Sequence, residues 1–248
     1  MTTRFEAAVD NAGMIRLVDI GERAGLLSRY DRKYAVSMGG VTQFVEEIGS
    51  SWLVVEVNGE RSPLYRTTYF DDSRRTSFHE HVKRCRHRYK VRVRTYSTGT
   101  SFLEIKTKDG RGQTEKLRIE RTSDSTTLDS VELDWLSARL PRVDVSDLRP
   151  ELLVEYRRVT LLGPNGDERL TIDHALRVGR EEAEIPLLEA GALVETKSIG
   201  PRSSATHTLR QAGARSVSFS KYCAGVSLVD TSIHPRLRTG AERAVARN

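Results

Sequence analysis

Residues 86–108 read RHRYKVRVRTYSTGTSFLEIKTK, and a two-residue period runs through them. Arg86, Arg88, Lys90, Arg92 and Arg94 occupy alternate positions, and after the STGTS break Glu104, Lys106 and Lys108 resume the spacing. Successive side chains of a strand point to opposite faces, so each set lies on one face, with Val91, Val93, Leu103 and Ile105 on the other. The pattern predicts a hairpin of strands 88–96 and 101–108 carrying two ionic rows side by side.

The rest of the chain reads the same way. Strands are predicted at 28–37, 52–59, 64–72, 114–121 and 192–200. Two more, 151–163 and 168–178, flank the PNGD turn. Helices are predicted at 40–49, 74–84, 129–140 and 201–213, the third on the apolar spacing of Val131, Leu133, Trp135, Leu136 and Leu140. Several strands repeat the division into faces. Arg92 and Arg94; Glu104, Lys106 and Lys108; Lys116 and Arg118; Tyr156, Arg158 and Thr160; Arg169, Thr171 and Asp173; and Glu195 and Lys197 form polar rows. Leu117, Ile119, Leu170, Ile172 and Val194 are among the apolar residues between them. Many strands with few crossover helices favour a closed antiparallel sheet in one domain over 26–231. Residues 1–25 read as a lead-in and 232–248 as a disordered tail.

Composition bounds the partners. The chain has 248 residues, 38% hydrophobic and 30% charged, which is a soluble globular balance. No run is long enough for a membrane helix, and the N-terminus has no signal pattern, so a cytoplasmic protein is expected. Cys85 and Cys223 offer no zinc spacing, and no disulfide is expected. Between His81 and Arg118 twelve Lys or Arg stand against three acids, a local excess that calls for an anionic partner. Arg outnumbers Lys by 32 to 8, yet every Lys except Lys83 falls in a strand-like segment.

If the charged rows face outward, this is a basic-surfaced β protein. If they converge inward, they line a wet cationic tunnel. Two cations about 6 Å apart repel by roughly 3 kcal/mol at an effective dielectric near 20. Such a tunnel favours a polyanion, and its carboxylates either offset charge or hold a divalent metal.

The ordered series DRKYAV, LYRTTYFDD, YKVRVRTY, FLEIKTK, EKLRI, VEYRR, ERLTID, VETK and FSKY resembles the VTC domain. That is the polyphosphate polymerase domain of the vacuolar transporter chaperone family, within the triphosphate tunnel metalloenzyme superfamily. The resemblance implies a mainly β (α+β) fold: a closed antiparallel eight-stranded tunnel barrel with a few short flanking helices. It implies transfer of the γ-phosphate of ATP, or another nucleoside triphosphate, onto polyphosphate with Mn2+ or Mg2+. A tripolyphosphatase and a non-catalytic polyphosphate- or nucleic-acid-binding module remain alternatives; no specific nucleic acid is expected. YDRKY stands where related branches carry E-x-E-x-K, which favours the VTC branch. Polymer handling would call for a membrane-protein partner.

By motif, the resemblance assigns Lys33, Arg92, Arg94, Lys106, Arg158 and Lys221 to catalysis, with Lys221 on a late strand. It assigns Glu195 to the metal. Arg66, Lys90, Lys108, Lys116, Arg118, Arg169 and Lys197 are further candidates for phosphate, and Glu104 either shares the metal or orients Lys106. His79, His81 and His87 are expected to be solvated or hydrogen-bonded.

Overall fold

The computed structural model describes residues 3–20, 30–111, 113–123, 125–201 and 203–233. Most of the expected 232–248 tail therefore lies outside the described residues. The chain opens with helix α1 (Arg4–Asn11), started by a Thr3/Glu6 capping box. Strand β1 (Met14–Arg16), β2 (Tyr30–Ser37), helix α2 (Met38–Ile48), β3 (Leu53–Glu56) and β4 (Leu64–Asp71) follow. Next come α3 (Thr76–Val82), β5 (Arg88–Tyr96), β6 (Ser101–Lys108), β7 (Thr114–Arg121) and α4 (Ser130–Ser137). The chain continues with β8 (Arg149–Leu162), β9 (Glu168–Gly179), β10 (Ile185–Pro186), β11 (Gly191–Ser198), α5 (Thr206–Gln211), β12 (Arg215–Ser216) and α6 (Lys221–Val229). The opening hairpin holds to the residue: Arg92 registers opposite Glu104 and Lys90 opposite Lys106.

The strands form one sheet of twelve, with the path β12-β2-β11-β9-β8-β4-β5-β6-β7 and β1, β3 and β10 attached to it. This corrects the expected closed barrel of eight. The eight long strands are present, but the sheet is open, and short strands make up the rest. The cause is visible at the edge of β2. There β12 pairs with Ala35 and Tyr34, and Val217 N–H donates to the Lys33 carbonyl at 2.9 Å. The edge that closure would need is taken by residues 215–217. Neighbouring strands of the sheet are antiparallel, except that β1 runs parallel to β3.

The sheet nonetheless curls, as twisted strands do. Lys33 on β2 donates to the Phe219 carbonyl at 2.8 Å, and Lys90 on β5 donates to Ser220 Oγ at 2.7 Å. Strands far apart along the path thus grasp one short segment. Outside the curl the apolar residues pack under helices. Val36, Val159, Leu161, Leu170, Ile172 and Val194 lie under α1 and α2 through Phe5, Val9, Phe44 and Val45. Val91, Val93, Leu103 and Ile105 lie under Leu136 and Leu140. Inside, α6 seals one part of the curl with Tyr222, Cys223 and Val226 against Leu152, Val154, Tyr156 and Leu193. Gly225 permits the approach, since a Cβ there would stand 2.5 Å from Leu152 Cδ2.

Two element expectations are corrected here. FSKY is not a strand: Ser220 caps the N-terminus of α6, its side chain accepting from the Cys223 amide at 3.3 Å, so Lys221 opens a helix. The helix predicted over 201–213 spans only Thr206–Gln211. The lead-in contributes Phe5, Ala8 and Val9 to the core through α1. Both cysteines are free, and among the described residues no helix is long and apolar enough to cross a membrane.

Candidate functional site

Strand register carries the ionic rows onto one continuous inner face. Lys33 faces Glu195, and Glu195 faces Thr171, which faces Thr160. Arg158 registers with Asp173, and Lys197 with Arg169. Across β4 the rungs continue as Thr67–Arg94, as Tyr69–Arg92–Glu104–Arg118, and as Lys90–Lys106–Lys116. Of the two readings of the charge pattern, the inward one holds: Arg94, Glu104, Thr171 and Asp173 are buried.

Charges taken out of water must be paired or they are very costly. The face is organised around two carboxylate hubs. Glu104, with a side chain only 1% exposed, meets Arg92 at 2.6 Å, Lys116 at 2.9 Å and Arg94 at 3.8 Å. Burial pushes its carboxyl up, but Arg92, Arg94 and Lys116 pull it down to about 2. Asp173 accepts a two-pronged pair from Arg158 at 2.5 and 2.8 Å, and a further bond from Lys221 Nζ. Against the penalty of burial, Arg158 and Lys221 hold it far below the usual carboxylate range. Aromatic rings complete the lining. The Arg158 guanidinium lies 5.1 Å from the Tyr65 ring and 5.2 Å from that of Tyr156, and Lys221 Nζ lies 4.4 Å from Tyr156.

Cations outnumber these hubs, and the surplus shows in the lysines. Burial, reinforced by Lys33, Lys106 and Arg92, pushes Lys90 down to about 8. Lys116, with a side chain 44% exposed, is drawn the same way, also to about 8, by partial desolvation and by Arg92 and Arg94 against the pull of Glu104. Burial lowers Lys33 too, against the pull of Glu195. His81 on α3 is held neutral, at about 3, by burial and by Lys90, Arg88, Lys33 and Lys106. Lys106 projects from the exposed side of this group, with no carboxylate partner among the described residues.

A metal would need hard oxygen donors. Of Glu104, Asp173 and Glu195, the last has the loosest cation contact, 3.8 Å from Lys197, and although burial opposes it, Lys197, Lys33 and Arg158 keep it ionised. In the adjacent position, the buried Thr171 hydroxyl has no hydrogen-bond partner among the described residues. A carboxylate and an unsatisfied hydroxyl fit an ion that takes its remaining ligands from water and phosphate. No three His, Cys, Asp or Glu side chains converge on a metal position among the described residues.

Most of the candidates share this face. Lys33, Lys90, Arg92, Arg94, Lys106, Lys116, Arg118, Arg158, Arg169, Glu195 and Lys197 lie on it through strand register, and Lys221 joins them from α6. Lys108 ends the β6 row opposite Arg88. Arg66 is corrected: alternation along β4 sends Tyr65, Thr67 and Tyr69 inward and Arg66 outward, where it meets Glu155 at 3.3 Å. Glu104 is engaged by Arg92, Arg94 and Lys116, not by Lys106. Asp173 is the residue sequence reasoning passed over. It stood in a polar row, but its contact with Lys221 depends on the fold of α6. A separate cleft of about 610 Å3, lined in part by Phe5, Val9, Ser62 and Arg157, opens beside α1 and shares no residue with the ionic face.

Known structures share this fold at low identity. A candidate adenylate cyclase from Bacillus halodurans matches with 15% identity and a TM-score of 0.52, covering 78% of this chain and 94% of its own. A candidate adenylyl cyclase from Hippeastrum, described as having a dominant triphosphatase activity, matches with 13% identity and a TM-score of 0.51, covering 83% and 97%. No curated protein matches the chain. These likenesses show a shared fold and nothing finer. Within it, the chain belongs to the VTC domain family, whose model matches residues 28–230.

Proposed function

We propose that this chain is a metal-dependent phosphotransferase that moves the γ-phosphate of ATP onto a polyphosphate chain held on its inner ionic face. The observation that carries the reading is the surplus of buried or half-buried cations over Glu104, Asp173 and Glu195 on one curled surface. Phosphoryl transfer asks mainly for positioning and charge neutralisation, which such a surface supplies. Arg92, Arg94, Lys106 and Arg158 grip phosphate oxygens, helped by Lys33 and Lys221, while Arg118, Arg169 and Lys197 extend the grip. Glu195, with Thr171 beside it, would hold Mn2+ or Mg2+. The ion's contribution when bound is to orient the phosphates and neutralise developing charge. Incubation with ATP and Mn2+ tests the reading: polymer is expected, whereas free phosphate alone would make the chain a tripolyphosphatase. Binding without turnover would make it a binding module.

Single substitutions test which face is used. Lys106→Ala should weaken tripolyphosphate binding by about 1.5 to 3 kcal/mol, the worth of a charge-assisted contact. Arg66→Ala, on the outer face, should leave it within about 0.5 kcal/mol. Arg75 and Arg121, also outside the polar rows, are held in ion pairs of their own and would report on folding instead. Arg75 ties Glu151 to Asp230, and Arg121 is buried against Glu132 at 2.5 Å. Equal losses at Lys106 and Arg66 by calorimetry would indicate a diffuse basic surface.

The lowered lysines give a pH signature. With Lys90 and Lys116 near 8 when folded and near the ordinary lysine value when unfolded, the unfolded chain binds more protons in between. The ligand-free protein therefore gains stability from these groups as pH rises from 8 towards 10. Bound phosphates draw the protons back, so binding near pH 8 takes up protons and weakens as pH rises. Calorimetry in two buffers of different ionisation enthalpy reads the uptake. Proton release would place these lysines away from the ligand.

A further inference from the structure

The ionic row of β5 runs on beyond the enclosed face. Arg94, Arg92, Lys90 and Arg88 share one side of the strand, stepping about 7 Å at a time, and Arg88 registers with Lys108 at the end of β6. The neighbouring chain adds Lys83, Arg84 and Arg86 after α3 and Arg111 in the turn between β6 and β7, all exposed. Two local devices gather them. After α3 the backbone turns tightly, with Cys85 N–H donating to the Glu80 carbonyl at 2.8 Å and Arg84 in the left-handed region at φ 56°. In the other turn, Asp109 Oδ1 accepts from the amides of Arg111 at 2.9 Å and Gln113 at 2.8 Å. The two segments touch: a Cβ added at Gly110 would stand 2.9 Å from the His87 ring.

Among the described residues Lys83, Arg84, Arg86, Arg88, Lys108 and Arg111 have no carboxylate within ion-pair distance; Arg88 donates instead to the Cys85 carbonyl at 2.8 Å. The Asp109 carboxylate faces turn amides. The cluster is thus an uncompensated basic surface in line with the interior row. Single-stranded nucleic acid would ask for interleaved aromatic rings on which bases stack. Among the described residues the cluster interleaves no exposed Phe, Trp or Tyr: Tyr89 is buried, and the His87 ring lies against Gly110. A line of cations without stacking partners suits a linear anion that carries charge along its length and has no bases.

We propose that this basic end is a docking track for the part of a polyphosphate chain that extends beyond the phosphates held on the inner face. The inference rests on the phosphate-chain reading above, and two probes separate them, tripolyphosphate and long-chain sodium polyphosphate. Wild type should bind the long chain more tightly, with a steeper salt dependence from the extra counterions displaced. The variant Lys83→Gln, Arg84→Asn, Arg86→Gln, Arg111→Gln should lose about tenfold or more on the long chain, with a flatter salt slope, while its tripolyphosphate affinity stays within about twofold. Asparagine at 84 suits the left-handed backbone, and melting temperatures check folding. The pair Lys83→Gln, Arg86→Gln gives a smaller loss of the same kind should the fourfold variant fold poorly.

Equal losses on both probes, or an unchanged long-chain affinity, overturn the track. So does a single-stranded oligonucleotide of matched charge that wild type binds as tightly and the variant loses as much, since the surface would then serve nucleic acid. Failure of wild type to bind tripolyphosphate instead overturns the inner-face reading, and the long-chain comparison still judges the track.

Discussion

Glu195→Gln should abolish most turnover while leaving tripolyphosphate binding in EDTA intact. The substitution keeps size and shape but removes the charge that would ligate a divalent ion. Lys33, Arg158 and Lys221 keep their own charges, and losing a neighbouring negative one strengthens rather than weakens their hold on phosphate. The loss of a metal that orients phosphates and neutralises developing charge amounts to several kcal/mol, roughly 100- to 1,000-fold in rate. Calorimetry without metal, beside product formation in Mn2+, measures both halves. Wild-type turnover in the variant would move the ion elsewhere. Lost metal-free binding would make Glu195 an ion-pair partner for Lys197.

The second large effect is on stability. Glu104 is the counterion for Arg92, Arg94 and Lys116, so Glu104→Gln leaves three cations crowded around a neutral group. Removing one partner of a buried charge cluster costs about 3 to 5 kcal/mol, or roughly 6 to 20 °C in melting temperature for a chain of this size. Tripolyphosphate should restore much of it, because the ligand brings the missing charge. At a hundredfold excess over Kd the wild-type protein gains about 2.7 kcal/mol, and the variant should gain more. A variant that melts like wild type, or that is not rescued, would show that Glu104 does not stand in for ligand charge.

How much of this was legible beforehand follows from the range of the interactions. The bounds and the two faces of the hairpin strands 88–96 and 101–108 come from alternation, a local property, and hold to the residue, whereas their register is seen only in the structure. Alternation also separated a polar face carrying Glu195 and Arg158 from an apolar one, but that this face turns inward and meets Lys33 is set by long-range register. Parity also exposes the error at Arg66: Tyr65, Thr67 and Tyr69 are polar-tipped and face inward, leaving Arg66 outside. Closure of the sheet was out of reach. It turns on whether the edge of β2 meets another long strand or the segment 215–217, which no periodicity encodes. Lys221 was expected on a late strand and instead opens a helix beside Asp173, because FSKY suits a short strand until the Ser220 cap and the following apolar run turn it into a helix.

The grasp of the segment 219–222 also bears on how the molecule assembles. Its fastening contacts join residues 186, 130 and 151 positions apart, between Lys33 and Phe219, Lys90 and Ser220, and Asp71 and Tyr222. The strands β5, β6 and β7 pair through adjacent hairpins and place their lysines and arginines side by side at little loop cost. Long-range fastening is entropically late and slow. In refolding the hairpins are therefore expected to form ahead of the element that ties the two halves of the sheet together, with like charges opposing the approach of those halves. A small polyanion in the medium would act as a temporary template, drawing the rows together until the final helix docks.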